Sequence, residues 1–476
     1  MTRSGVYIIN VNESLCNLKS EDYLKKMVYA RDYGFLPSAS AYENREALQR
    51  ALDCGGEITV DVAGIYDVGG TVLIGSNTRL AFAEGTAVRR AALGEGQHDE
   101  GFIMNRGAYT RKYDENIEIS GLHLITNGID NIHDSKIVGM NAHVGFFYIK
   151  HLKIIDFECL DLGKHSYCIQ ICTFEDAYLE NLKIEGGKDA VHFGTGRDFV
   201  IRNGDFRTYD DPIALNANDY ATANPHMGWI ENGLIENCSD LDQPETTGYF
   251  VRMLGGAWCD WKRGMTVRNS DTVVSCGRMY RVLMPADGKE YISVTKPTHA
   301  AGKETLDGID WVMIQDENVC YNCGCRNIHF KNIKLCKHRP IAFSFHFDND
   351  NYSHSYYPYA DAPVQENITI ENVEMENDVD WLIWSTTPVT GIKLINVELK
   401  NAAIRFGNRG VPGIVYPPVE ISMAGTRFEG KSFISAGEGR RAEVSISDSH
   451  MREGAAFVKK GNVEIMKSDI AVNDAE

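Results

Sequence analysis

Apolar and polar residues alternate in short runs along most of this chain, and one phrase recurs, an Asn followed by an apolar, a polar and a second apolar position. It reads E-N-I-E-I at 115–119, E-N-L-K-I at 180–184, R-N-I-H-F at 326–330 and E-N-I-T-I at 366–370. Looser copies stand at 150–154 (K-H-L-K-I), 199–204 (F-V-I-R-N-G), 233–238 (G-L-I-E-N-C) and 390–394 (T-G-I-K-L). A two-residue period marks strands, because successive side chains point to opposite faces, and Asn or Gly beside such runs marks bends. Copies separated by roughly 17 to 40 residues predict a solenoid with loops inserted into some coils. The fold class that follows is all-β, a single-stranded parallel β-helix, right-handed by the general rule for parallel crossovers. Each coil presents inward Ile, Val, Leu and Phe that it cannot bury alone, so it stacks on a neighbour about 4.8 Å away. The bend Asn residues are expected to tolerate unusual backbone angles and to hydrogen-bond from coil to coil, a structural role and not a catalytic one.

One helical pattern interrupts the strands. E-N-R-E-A-L-Q-R-A-L-D at 43–53 places Ala47, Leu48, Ala51 and Leu52 on one face before Gly55-Gly56, which predicts a short amphipathic helix capping the open N-terminal end of the solenoid. Past Gly391 the alternation continues with fewer aromatics. The expected organisation is an N-terminal extension over 1–30 and one β-helix domain over 31–476, with 391–476 as a possible distinct C-terminal β region. Segments 285–316 and 348–362 read as long inserted loops.

The 476 residues are 43% hydrophobic and 24% charged, a globular composition that removes disordered, collagen-like and coiled-coil classes. Sixty-six acidic against 48 basic residues give a net charge of −18, which argues against nucleic acid as a partner and favours neutral or lightly charged ligands. The chain has no apolar run of membrane-spanning length and opens without a secretory pattern, so a cytoplasmic protein with no membrane partner is expected. Its twelve cysteines then read as reduced. The tightest group, Cys320, Cys323, Cys325 and Cys336, lacks a second Cys-x-x-Cys and lies in alternating sequence, so core thiols are expected in preference to a metal site. Neither a metal nor a cofactor is anticipated.

The candidate chemistry is carboxylate chemistry. Asp189 precedes the pair Asp210-Asp211 by about one coil, and equivalent positions on adjacent coils lie about 5 Å apart. Like charges that close push one pKa upward, so a single residue type can yield both an acid and a base. Neighbours in a strand face opposite ways, so Asp210 and Asp211 share a cleft only across a bend, which Pro212 favours. His192 follows Asp189 by three residues and reads equally as a buried histidine or a cleft residue. Arg252 and Arg281 each interrupt an apolar strand, where an unpaired charge is costly, so each should meet a carboxylate, structural or substrate-facing. Trp258 and Trp261 offer indoles for stacking on sugar rings, with core packing as the plain alternative. His346 and Asp348 alternate onto one face at the start of a Tyr- and His-rich segment.

The stretch 32–80, with its helix and Gly55-Gly56, resembles the entry segment of pectin-lyase-like parallel β-helix proteins. G-K-D-A-V-H at 187–192 and Y-D-D-P-I-A-L at 209–215 are similar to the carboxylate elements of glycoside hydrolase family 28, the polygalacturonase relatives. That resemblance implies an inverting glycoside hydrolase, with Asp210 as general acid and Asp189 with Asp211 activating water. The family's Gly-His-Gly and Arg-Ile-Lys elements are absent, so a pectin substrate is not implied. His346 is a candidate for the vacant histidine. An exo-acting enzyme on an oligosaccharide or polysaccharide is expected, as a possible dimer or trimer; a lyase or uronate epimerase, or a non-catalytic sugar-binding solenoid, remains as an alternative.

Overall fold

A computed structural model describes residues 27–92, 101–134, 136–220, 222–408 and 410–475. The predicted helix runs Ala41–Leu52. Ser40 caps it: its hydroxyl accepts from the Glu43 N–H, and the Glu43 carboxylate accepts in return from the Ser40 N–H at 2.9 Å. Ala47, Leu48, Ala51 and Leu52 are buried against the first coils. The solenoid starts ahead of this helix, because Met27–Tyr29 pairs in parallel with Gly56–Val60. The expected N-terminal extension over 1–30 falls mostly on residues 1–26, which lie outside the described residues.

A 27-stranded sheet, its paired strands parallel, winds from Met27 to Asp474. Asn side chains tie its bends together as predicted. One ladder runs Asp156, Asn181, Asn203, Asn237, Asn332, Asn372 and Asn396, each amide donating to the preceding residue at 2.8–3.2 Å. A second runs Asp198, Asn232, Asn327 and Asn367 at 2.9–3.0 Å. The Asn members have φ of 52° to 58°, the left-handed region that Asn tolerates better than other side-chain-bearing residues. No described helix is long and apolar enough to cross a membrane.

Five successive floor strands position the site: Val191–Phe193, Ile213–Asn216, Tyr249–Leu254, Ile341–His346 and Trp381–Ser385. Val191, Ile213, Val251, Phe343 and Ile383 stack inward in register, all fully buried, each contributing about 1.5–3 kcal/mol. The alternate row, His192, Ala214, Arg252, Ser344 and Trp384, points outward. Turns at the leading ends of the first two strands are short, while excursions leave the trailing ends at 217–229, 255–324 and 347–364. The excursion 255–324 is not the unstructured loop that the sequence suggests over 285–316. It contains a five-stranded sheet with its own core of Val267, Val273, Tyr280, Val282, Ile309 and Trp311. Its other face, with Val274, Met279, Val312 and Ile314, joins the solenoid core.

Candidate active site

Val191 faces Ile213 across the coils, which sets Asp189 level with Asp211 and Lys188 level with Asp210. Both aspartates of the pair sit in the turn before Ile213, not within the strand, so neither is forced to the opposite face. The result is a trio: oxygens of Asp189, Asp210 and Asp211 come within 4.8 Å of one another. Carboxylates at that spacing compete for a proton or a cation, and the Lys188 ammonium fills the cation's place. It pairs with Asp210 and lies 3.5 Å from Asp189.

Asp211 and Asp189 are pushed in opposite directions. Burial, with the charges of Asp210 and Asp189 beside it, pushes Asp211 well above the usual carboxylate range, against the pull of Arg252 and the Tyr249 N–H that donates to it at 2.7 Å. Burial also acts to raise Asp189, but Lys188, His192 and Arg252 together outweigh it and hold Asp189 at about 2. Against the effect of burial, Asp189 and Asp210 hold the Lys188 ammonium well above its ordinary value.

His192 is fully buried. Its Nδ1 lies 3.0 Å from Asp189, its Nε2 lies 3.1 Å from the Asn224 Oδ1, and its ring stacks on Tyr167 at 3.9 Å. It is held between Asp189 and Asn224, closed off from solvent. Arg252, on the outward row two coils beyond His192, donates to Asp348 at 2.6 Å and lies 4.0 Å from Asp219. Asp348 in turn meets the His346 Nε2 at 3.0 Å, and the His346 Nδ1 meets the Ser344 hydroxyl at 2.7 Å. Although burial opposes it, Arg252 with His346 and Ser353 holds Asp348 below the usual carboxylate range. Asp348 and His346 are thus a paired structural group beside the trio, and both carboxylates near Arg252 meet the expectation of a partner for that charge.

Three expected binding residues lie elsewhere. Arg281 is buried on the inserted sheet, with its Nη2 3.5 Å from the Asn218 Oδ1, and among the described residues no carboxylate makes an ion pair with it. Trp258 is a core residue whose indole donates to the Cys320 carbonyl at 2.7 Å, which corrects its expected role as a stacking platform. Trp261 packs on the core of the inserted sheet and donates to Ser293 at 2.8 Å. An excursion with its own core consumes aromatics that spacing alone assigns to a groove. Cys323 and Cys325 are likewise core thiols, donating to the carbonyls of Ala217 and Leu215.

Sequence reasoning misses Lys188, although it is adjacent to Asp189 in a quoted motif and register alone brings it to Asp210. It also misses Gly248. On the coil where the family pattern carries Gly-His-Gly, this chain has Gly248-Tyr249, and Gly248, with φ of 65°, lies so close that a Cβ there would overlap the carboxylates of both Asp210 and Asp211. The half-buried Trp384 occupies the outward row two coils beyond Arg252.

No family model and no curated protein matches this chain. Among solved structures it is similar to the family 28 exopolygalacturonase of Yersinia enterocolitica, with 13% identity over 95% of this chain and 79% of that one and a TM-score of 0.48. It is also similar to the A-module of a mannuronan C-5 epimerase of Azotobacter vinelandii, with 9% identity over 94% and 99% of the two chains and a TM-score of 0.43. A third is PfbA, a surface adhesin of Streptococcus pneumoniae, with 11% identity over 92% and 93% and a TM-score of 0.44. The resemblance to pectin-lyase-like solenoids holds at the level of the parallel β-helix, which the coil register itself shows. A parallel β-helix does not by itself specify a chemistry, which has to come from the site.

Proposed function

We propose that this chain is a glycoside hydrolase working through Asp189, Asp210 and Asp211. The observation that carries this reading is the trio itself, three carboxylates within 4.8 Å of one another, of which burial and like charge push Asp211 toward its protonated form while Lys188, His192 and Arg252 hold Asp189 ionised. Glycoside hydrolysis needs both forms at once, a proton for the leaving oxygen and a carboxylate to activate water. Asp210 is the member open to the groove, with its side chain 22% exposed against 3% for Asp189. Asp211 sits beside Asp210 at the back of the trio, and Asp210, the member that reaches solvent, is placed to act on the leaving oxygen. The Asp189 Oδ1 is buried without a hydrogen-bond donor and accepts from the attacking water.

The spacing lies nearer the ~5–5.5 Å of direct carboxylate attack than the ~6.5–9.5 Å of a water-mediated pair. Burial supports the water-mediated route all the same, because Asp189 and Asp211 are 2% and 1% exposed, too deep to bond to a sugar ring. The product is then the inverted anomer. Action at a chain end is supported where the groove stops: Gln170, the outward residue one coil before His192, is roofed by the carbonyls of Gly139 and Ala223, each accepting from its amide at 2.8 Å.

The test is a reducing-sugar and mass-spectrometric screen of wild type and Asp210→Asn on neutral and acidic oligosaccharides and aryl glycosides, with the product anomer followed by proton NMR. Release of sugar by wild type alone, as the inverted anomer, is expected. Equal cleavage by both proteins would remove Asp210 from the chemistry, and an unsaturated uronate absorbance would make the enzyme a lyase.

A further inference from the structure

The turn bearing Asp210 and Asp211 is held by more than its own coil. Lys337 and Arg339 lie on the turn at 336–340, two coils further on, and both are fully buried. The Arg339 Nε and Nη2 donate to the two oxygens of Asp240 at 2.7 and 2.9 Å, and Asp240 ends the Ile230–Asp240 strand of the coil between. Its Nη1 donates to the Thr247 carbonyl at 2.9 Å and reaches the Asp210 carbonyl at 3.4 Å, while Nη2 reaches the Thr208 carbonyl at 3.4 Å. The Lys337 ammonium donates to that same Thr208 carbonyl. The Thr208 hydroxyl closes the turn by donating to the Asp210 carbonyl at 2.8 Å. One guanidinium therefore spans three coils and joins the backbone beneath Asp210 to the residue before Gly248, the glycine pressed against both carboxylates.

Stability alone is a poor reason for this arrangement. Burying an ion pair costs desolvation that its mutual attraction often fails to offset, and apolar side chains of similar volume would serve a solenoid turn as well. Its location supplies a better one. We propose that Arg339 and Lys337, braced by Asp240, are positioning residues that fix the backbones of 208–211 and 247–248 and so keep the carboxylates of Asp210 and Asp211 at their working separation. The role rests on the trio being the acid–base site.

The test reads the carboxylates directly, without turnover. The groups facing Asp211 are Asp210 beside it, Asp189 from the preceding coil, and Arg252 with the Tyr249 N–H from the following one, with Lys188 bound at Asp210. Arg339→Lys keeps a cation for Asp240 but loses the fork that reaches Thr247 at the same time. A carbon-13 carboxyl titration of Arg339→Lys is expected to show Asp211 titrating lower by about one pH unit, as the like charges move apart. On any substrate found, kcat is expected to fall about tenfold with KM nearly constant, and the acid limb of the pH profile to move. Arg440→Lys removes another buried guanidinium far along the solenoid, one that donates to the Gly407 carbonyl at 2.7 Å, and should lower the melting temperature without moving the Asp211 titration. Should Arg339→Lys not fold, Lys337→Met frees the same Thr208 carbonyl and is expected to shift Asp211 in the same direction by less. A wild-type titration in the folded variant would overturn the proposal. That result is independent of whether the hydrolase assignment survives.

Discussion

Along one groove floor, Asp189, Asp210 and Asp211 share the single ammonium of Lys188, whereas Asp219 and Asp348 flank the guanidinium of Arg252, with His346 on the far side of Asp348. Both groups bury carboxylates among strands, and both sit on the same stack of coils. The first sets three carboxylates against one ammonium, and burial with the charges of Asp210 and Asp189 pushes Asp211 up. The second sets two carboxylates around one guanidinium, with the His346 ring against Asp348, and Asp348 is held down. A carboxyl crowded by like charge in a dry turn favours its proton, while one bonded directly to a guanidinium is an interior strut. Reactivity therefore follows the crowding of like charge more than the number of acidic residues.

The largest expected effect of that difference is kinetic. Asp210→Asn should lower kcat about a thousandfold, the range of a lost general acid, while the melting temperature stays near wild type. The substitution removes the one carboxylate of the trio that reaches the groove. A variant that lost stability in proportion to activity would make the trio a strut like its neighbour.

Much of this geometry is legible in the residues themselves. The N-x-apolar phrase marks the coils, Ser40 and Glu43 flank the helix start, and Asp189 with Asp210-Asp211 marks the chemistry. What the pattern leaves open is register. A coil length uncertain by one residue does not say whether Asp210 or Asp211 stands level with Asp189, and only the pairing of Val191 with Ile213 settles it and delivers Lys188 to Asp210. The aromatics fail for a different reason. Trp258 and Trp261 border an excursion that folds into a sheet of its own, and an indole looks the same in sequence whether it lines a groove or fills a core.

Stability should separate the two groups next. Asp348→Asn strips Arg252 of its closest partner and should cost about 3 kcal/mol at pH 7. Asp211→Asn replaces a carboxyl already pushed toward its neutral form and should cost much less. Their pH dependences run in opposite senses. The folded pKa of Asp211 is raised, so its contribution is complete below the unfolded value of about 3.9 and is lost as pH rises through the folded value. Asp211→Asn should therefore gain on wild type as pH climbs from 4. The folded pKa of Asp348 is lowered, so its contribution is present above about 3.9 and is lost as pH falls, and the deficit of Asp348→Asn should shrink below pH 4. Denaturant melts at several pH values would show the crossing, and parallel slopes would mean that the two groups do not differ in how their carboxylates are held.

Lys188→Gln deepens the imbalance of the trio. Asp189 loses the cation that does most to offset its burial, so its pKa should rise and the acid limb of the pH–rate profile should move upward. Turnover at neutral pH should fall about tenfold, less than for Asp210→Asn, because Lys188 acts through the carboxylates. An unmoved acid limb would show that Arg252 and His192 suffice to hold Asp189 ionised.

Trp384 asks whether the groove continues past the Arg252 group. It stands on the outward row two coils beyond Arg252, about 10 Å along the axis, half-buried against Trp381 with ring centroids 5.7 Å apart. An aromatic face there can stack on a sugar well away from the cleaved bond, in place of the indoles that the inserted sheet has taken. Trp384→Ala should raise KM about threefold for oligosaccharides long enough to span from Asp210 to Trp384 and leave shorter substrates unchanged, a modest loss in keeping with one stacking contact. Equal weakening on short substrates would place the effect at the trio, transmitted through Ser344 and Arg252, and would mean that the strut and the reactive group are not independent.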